Sequence, residues 1–153
     1  MPALSPRLRA VVDALPLVEG MRVIEIGCGP GAAAREVALR VGPTGQVLAV
    51  DRSATAIDQL RRASAELIEA GRLRTRTVAA EDLTLEPDEP PYDLAFAVRV
   101  GALDGRHPEL RDRALERIAR ALVPDGRLFV DGGDPLREVA LRGRRAAAEV
   151  RRA

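Results

Sequence analysis

The residues with the clearest chemical potential stand together in the run Val23-Ile24-Glu25-Ile26-Gly27-Cys28-Gly29-Pro30-Gly31-Ala32. An apolar stretch passes directly into a glycine-rich turn, and the turn opens a segment rich in alanine. Glycine admits positive φ and lets a ligand approach the backbone with no Cβ in the way. The helix that follows offers free N–H groups and a positive dipole end. Such a turn is built to hold a cofactor. Asp51 lies 20 residues beyond Gly31, at the end of the next apolar run, and its carboxylate can accept hydrogen bonds from a ribose diol. Gly27, Gly29 and Ala32 also satisfy the dinucleotide pattern Gly-x-Gly-x-x-Gly/Ala. The turn alone therefore leaves the cofactor open, and plain chain reversal stands beside both ligand readings.

Composition narrows the chemistry by exclusion. All 24 basic residues among the 153 are Arg; there is no Lys, no Asn and no Trp, one His (His107) and one Cys (Cys28). Without Lys there is no Walker-type phosphate lysine and no Schiff base. One His and one Cys cannot make a tetrahedral Cys/His zinc site or a disulfide within the chain, so no metal is expected. No Ser sits in a Gly-x-Ser-x-Gly turn, which argues against a Ser-His-Asp hydrolase. A bound cofactor is expected to carry the reactive group.

The formal charge of +1 is near balance and argues against a nucleic-acid or membrane partner. Residues 81–93 hold six acidic side chains and no basic one, while residues 137–152 hold six Arg against Glu138 and Glu149. These read as a solvated loop and a solvated helix face, or else as a basic patch for an anionic partner or as segments that meet across a dimer. No apolar run approaches the roughly 18 residues that span a bilayer. Asp13 and Pro16 interrupt the N-terminal apolar stretch, so no signal peptide is expected and the cytoplasm is the default.

Stepping outward, short apolar runs alternate with stripes at helical spacing. The runs cover residues 23–26, 47–50, 76–79, 94–98 and 128–130; all but the third are apolar at consecutive positions, save Glu25 in the first, as in parallel strands covered on both faces. The third alternates polar side chains from Arg74 to Val78 and fits an edge strand. The helical stripes are Ala33/Val37/Val41, Ile57/Leu60/Leu67/Ile68, Leu110/Ala114/Leu115/Ile118/Leu122 and a C-terminal one at Leu136/Val139/Ala140. A further amphipathic helix spans residues 6–15. Pro87, Pro90 and Pro91 leave room for one helical turn at most between residues 81 and 92. This alternation predicts an α/β fold, a doubly wound, mostly parallel five-stranded sheet of order 3-2-1-4-5, with residues 1–153 as a single domain.

Read together, these segments resemble the class I S-adenosylmethionine-dependent methyltransferases. Glu25 through Gly31 looks like their first motif and Val50-Asp51-Arg52-Ser53 like the second. Ala80-Glu81-Asp82-Leu83 resembles the third, Tyr92-Asp93-Leu94-Ala95-Phe96 the strand-four motif, and Leu122 through Leu128 the approach to strand five. The resemblance implies a Rossmann-like core that binds S-adenosyl-L-methionine. It implies cofactor contacts from Glu25, Gly27, Cys28, Gly29, Gly31, Asp51, Arg52, Glu81, Asp82 and Val98, with Asp51 on the ribose and an acid after strand three, Asp82, on the adenine amine. Glu25 also admits a reading as a hydrogen-bonded backbone anchor, and Cys28 as a small residue tolerated in the turn.

The acceptor side is thinner. The Asn/Asp-Pro-Pro-Tyr/Phe signature of amino-group methyltransferases is absent, because Pro90-Pro91-Tyr92 precedes its strand and reads as a rigid turn. Arg99 is a candidate clamp for an anionic acceptor and His107 a candidate general base; each also reads as a surface residue. Members of the family usually end with an antiparallel hairpin beside strand five. Here the C-terminal segment reads as an Arg-rich helix, so a short form lacking the hairpin is expected, with strand five exposed and a homodimer across that edge or the final helix. The function expected is methyl transfer to a small-molecule acceptor. The alternatives are a non-catalytic S-adenosylmethionine-binding or regulatory protein and, behind it, a nicotinamide-dependent oxidoreductase.

Overall fold

In the computed structural model the described residues are 4–141 and 143–144. Helix α1 (Pro6–Ala14) is capped by Ser5 and precedes β1 (Arg22–Ile26), α2 (Ala32–Val41) and β2 (Gln46–Asp51). Then come α3 (Ala54–Ala63), the short α4 (Ala65–Glu69), β3 (Leu73–Thr77) and a 3-10 turn at Ala80–Asp82. The chain continues through β4 (Tyr92–Ala97), α5 (Gly101–Asp104), α6 (Pro108–Ala121), β5 (Leu122–Asp131) and β6 (Leu136–Val139). The sheet order is β3-β2-β1-β4-β5-β6, parallel throughout except for the last pair.

The apolar runs are continuous because both faces of the sheet are covered. Ile24, Ile26, Leu48 and Val50 pack with Leu115 and Ile118 of α6 on one side. Val23, Val47, Leu94 and Phe96 pack with Val12 of α1, Val37 of α2 and Leu60 of α3 on the other. Strand order reverses between β1 and β4, and such a switch point opens a crevice at the C-terminal strand ends.

The polar alternation of β3 has a specific cause. Arg74 pairs with Glu86 at 3.0 Å and Arg76 with Glu89 at 3.0 Å. The acidic segment read as a solvated loop is thus tied to this edge strand. The Glu89 side chain is fully buried and accepts the Tyr92 hydroxyl at 2.7 Å and the Glu86 N–H at 3.0 Å. Burial alone would raise the Glu89 carboxyl, but the Tyr92 hydroxyl, the Glu86 N–H and Arg76 outweigh it and hold it below its ordinary value. Arg22 stacks over the Tyr92 ring at 4.4 Å and donates to the Pro90 and Pro91 carbonyls at 3.1 and 3.3 Å. Pro90-Pro91 is therefore a rigid turn, fastened to the start of β1.

The C-terminal expectation needs correction. Leu136 and Val139 form no helix; they belong to β6, which runs antiparallel to β5 with Leu128 opposite Val139 and Asp131 opposite Leu136. The reversal is made by Gly132-Gly133-Asp134-Pro135. Gly132 has φ 104°, and a Cβ on Gly133 would collide with the Leu136 carbonyl. With Leu136 only half-buried and Val139 buried, their three-residue spacing imitates a helical stripe. The sheet therefore has six strands, and an antiparallel strand stands where the missing hairpin was expected. Because β6 covers β5, the reason for expecting a second copy across that edge lapses. The Arg-rich tail from residue 145 onward, where the rest of the final helix was expected, lies outside the described residues.

Candidate cofactor site

The backbone after β1 turns through three left-handed glycines, Gly27 (φ 70°), Gly29 (φ 54°) and Gly31 (φ 90°). Its hydrogen bonds fasten it to β2. Cys28 N–H donates to the Val50 carbonyl at 3.0 Å, and Gly29 N–H donates to Asp51 Oδ2 at 2.9 Å. The other Asp51 oxygen, Oδ1, accepts Ser53 N–H at 2.8 Å. Two backbone donors thus fix the carboxylate at the end of β2, and each oxygen keeps acceptor capacity for a ligand. Gly31 is needed for packing as well as conformation: a Cβ there would lie 2.6 Å from Leu60 of α3. Arg35, buried one turn into α2, donates to the Pro30 carbonyl at 2.8 Å and closes the turn from behind.

Glu25 lies beneath this turn on β1, 3% exposed, and its Oε1 has no hydrogen-bond partner. Burial pushes its carboxyl up to about 8, with Asp51 adding to the shift and the Ala34 N–H and Arg35 opposing it. The group is therefore mostly neutral at pH 7. Cys28 fills the turn, its thiol donating to the Gly29 carbonyl at 3.4 Å. Burial, then Glu25 and Asp51, push that thiol upward, which keeps it protonated and unreactive.

A cleft of about 230 Å³ opens at the C-terminal strand ends, above the switch point. It is lined by Ile26, Gly27, Asp51 and Arg52 from the ends of β1 and β2, by Val78, Ala79, Ala80 and Glu81 after β3, and by Arg99, Val100, Gly101, Ala102, Arg106, His107 and Leu110 after β4. Of the residues the sequence singles out, Gly27, Asp51, Arg52, Glu81, Arg99 and His107 come together here. Glu25, Cys28, Gly29 and Gly31 shape the turn without lining the cleft. Asp82 is turned elsewhere, exposed and paired with Arg113 of α6 at 2.7 Å, so the acid of that motif that lines the cleft is Glu81. Val98 packs against the core beside Phe96 and Phe129, while its neighbours Arg99 and Val100 line the cleft. Sequence reasoning missed Ala79, Gly101 and Arg106. Small residues after the strands were a usable sign for the first two; Arg106 arrives through a loop that no pattern marks.

Arg99 is the one non-glycine residue with positive φ (58°) among the described residues. Its N–H donates to Asp131 Oδ2 at 3.2 Å, and its carbonyl accepts Arg106 Nη2 at 2.7 Å. Arg106 is itself anchored on Asp104 through Nε, 2.9 Å from Oδ2. His107 packs on Gly101, with Nδ1 3.4 Å from Glu109 Oε1. Among the described residues no group of three or more His, Cys, Asp or Glu could hold a metal ion.

This arrangement suits an adenosyl ligand: a preset carboxylate for a diol, a second acid lining the same cleft, and open space above Gly29, where an added Cβ would meet nothing within 4 Å. A family profile described as "Methyltransferase domain" matches residues 23–126. The chain belongs to the methyltransferase domain family. It is 34% identical over 147 residues to trans-aconitate 2-methyltransferase of Methylobacterium nodulans, covering 94% of this chain and 52% of that protein. It is 36% identical over 150 residues to nocamycin O-methyltransferase of Saccharothrix syringae, covering 95% and 50%. The chain thus spans about half the length of these relatives. Among solved structures, the [4+2]-cyclase SpnF superposes with a TM-score of 0.64 at 27% identity, over 80% of this chain and 42% of that one. A protein described as PKMT2 from Rickettsia typhi, in complex with AdoHcy, superposes with a TM-score of 0.61 at 25% identity, over 82% and 24%. Membership of this family points to S-adenosylmethionine as the cofactor, and the nicotinamide reading is set aside.

Proposed function

We propose that this methyltransferase binds S-adenosylmethionine over the C-terminal ends of β1, β2 and β4 and methylates a small-molecule acceptor, as a single domain. The observation that carries this reading is Asp51, whose two oxygens are held by Gly29 N–H and Ser53 N–H at the lining of the cleft. Set in this way, it accepts the ribose hydroxyls with little rotamer entropy left to lose. Glu81 accepts the exocyclic amine, and the Gly27–Gly29 backbone lies along the methionine end. Bound there, S-adenosylmethionine supplies a methyl group already activated on sulfur. The chain then has to align an acceptor and, for an oxygen or nitrogen nucleophile, remove its proton. His107 is the lone imidazole and lines the same cleft, which supports it as the proton acceptor.

A cytoplasmic setting fits the single buried thiol. No described helix is long and apolar enough to cross a membrane, and the near-balanced charge supports a small molecule over a nucleic acid as partner.

Calorimetric titration tests the reading directly. S-Adenosylhomocysteine should bind and NAD should not; binding of NAD alone overturns it. The likeness to a [4+2]-cyclase favours a second reading, in which the cofactor pocket serves a purpose other than methyl transfer. Release of S-adenosylhomocysteine from S-adenosylmethionine on addition of a small-molecule extract decides between the two.

A further inference from the structure

We infer that the acceptor carries a carboxylate and that Arg99 is the residue that selects it. This rests on the proposed reading of the cleft as a methyl-transfer site.

The lining of the cleft is uneven in charge. Glu81 comes from the segment after β3, whereas Arg99, Arg106 and His107 come from the segment after β4. Within that basic segment the three side chains are differently engaged. Arg106 is committed to Asp104 and to the Arg99 carbonyl, and His107 faces Glu109. The Arg99 guanidinium has no hydrogen-bond or ion-pair partner among the described residues; only its backbone is bound.

That backbone is strained. A left-handed conformation at a residue with a Cβ is unfavourable and persists only where the surroundings impose it. Here both polar backbone atoms are gripped by side chains from elsewhere, Asp131 at the end of β5 and Arg106 from the loop after α5. The fold fixes the Arg99 backbone at the lining of the cleft and, among the described residues, leaves its planar five-donor fork without a partner. A guanidinium so placed matches a carboxylate in charge and in bidentate geometry.

The carboxylate has two possible sources, the acceptor and the methionine end of the cofactor, and the experiment separates them. The protein saturated with S-adenosylhomocysteine is titrated with benzoate, glutarate and citrate and with their amides. At least one acid should bind, with its amide weaker by about tenfold or more, the loss of a charged bidentate contact. Arg99→Met should abolish the difference and leave S-adenosylhomocysteine affinity within about twofold; Arg99→Lys should restore it only in part. Arg99→Gly relieves the strain, so it should keep or raise thermal stability while losing the discrimination, which a merely structural Arg99 would not do. The inference fails if acids and amides bind alike or if no acid binds. It also fails if Arg99→Met weakens S-adenosylhomocysteine but not 5′-methylthioadenosine, which lacks the amino-acid end; Arg99 then serves the cofactor. Failure of the unaltered protein to bind S-adenosylhomocysteine at all overturns the cofactor reading itself, and this inference with it.

Discussion

Gly29 N–H and Asp51 Oδ2 lie 2.9 Å apart, and this one hydrogen bond joins the glycine turn after β1 to the acidic end of β2. The two motifs that the sequence offers separately, 22 residues apart, are one unit in the folded chain. A change at either should therefore be felt at both.

Asp51→Asn keeps the shape of the side chain but gives up its charge. We expect S-adenosylhomocysteine binding to weaken by about 1.5–3 kcal/mol, the worth of a hydrogen bond to a charged group. The thermal unfolding temperature should fall only slightly. Asp51→Ala should lose as much affinity and also destabilise the turn, because the Gly29 and Ser53 N–H groups both lose their acceptor. Calorimetry beside thermal melts separates the two effects.

Glu25 should make the free protein less stable as pH rises. Its folded-state value of about 8 lies above the ordinary 4.5, so between those values the folded chain holds a proton that the unfolded chain has released. Stability therefore falls across that window and levels off above it. Glu25→Gln, neutral at every pH, should match the parent near pH 4 and exceed it by on the order of a few kcal/mol near pH 8. Urea titrations at both pH values measure the difference; equal gains at both would refute the assignment.

Cys28 should resist alkylation in the folded state. Its raised value and burial leave almost no thiolate at pH 8, so iodoacetamide should react about a hundredfold more slowly than with the urea-unfolded chain. Rapid modification of the native protein would mean that the turn opens.

The buried Glu89 network should behave in the opposite sense to Glu25. Glu89 is held below its ordinary value, so its contribution is present above the usual carboxylate range and is lost as pH falls through the folded value. Glu89→Ala strands Arg76, the Tyr92 hydroxyl and the Glu86 N–H together and should cost about 3–5 kcal/mol. Tyr92→Phe removes a single hydrogen bond to a charged acceptor and should cost about 1.5–3 kcal/mol. Chemical denaturation at pH 7 ranks the two variants.

Much of this molecule was legible in the chain. The five parallel strands, the edge position of β3 and the glycine turn follow from local pattern, because continuous apolar runs and glycine clusters are imposed by their immediate surroundings. What escaped depends on partners distant in sequence. The strand β6 was hidden because Leu136 and Val139 sit on an outer strand, where only Val139 is buried, Leu136 is half-buried and Arg137 and Glu138 between them are exposed, so alternation is lost. Asp82 and Glu81 are adjacent carboxylates, and only the placement of Arg113 on α6 decides which of them turns away from the cleft. Arg106 acts through the Arg99 carbonyl, a contact that no spacing rule encodes.

Strand β4 is held at both ends, by Glu89 through Tyr92 before it and by Asp131 and Arg106 at Arg99 after it. Against β5, its pairing jumps from Tyr92–Leu122 to Leu94–Arg127, so residues 123–126 lie outside the paired register. Length changes should therefore be unequally tolerated. An added or deleted residue within 123–126 can be absorbed where the ladder is already broken. The same change between Leu94 and Val98 would carry Arg99 out of its grip and exchange the two faces of the strand. Length is expected to be forgiving at the foot of the sheet and strictly counted at its head.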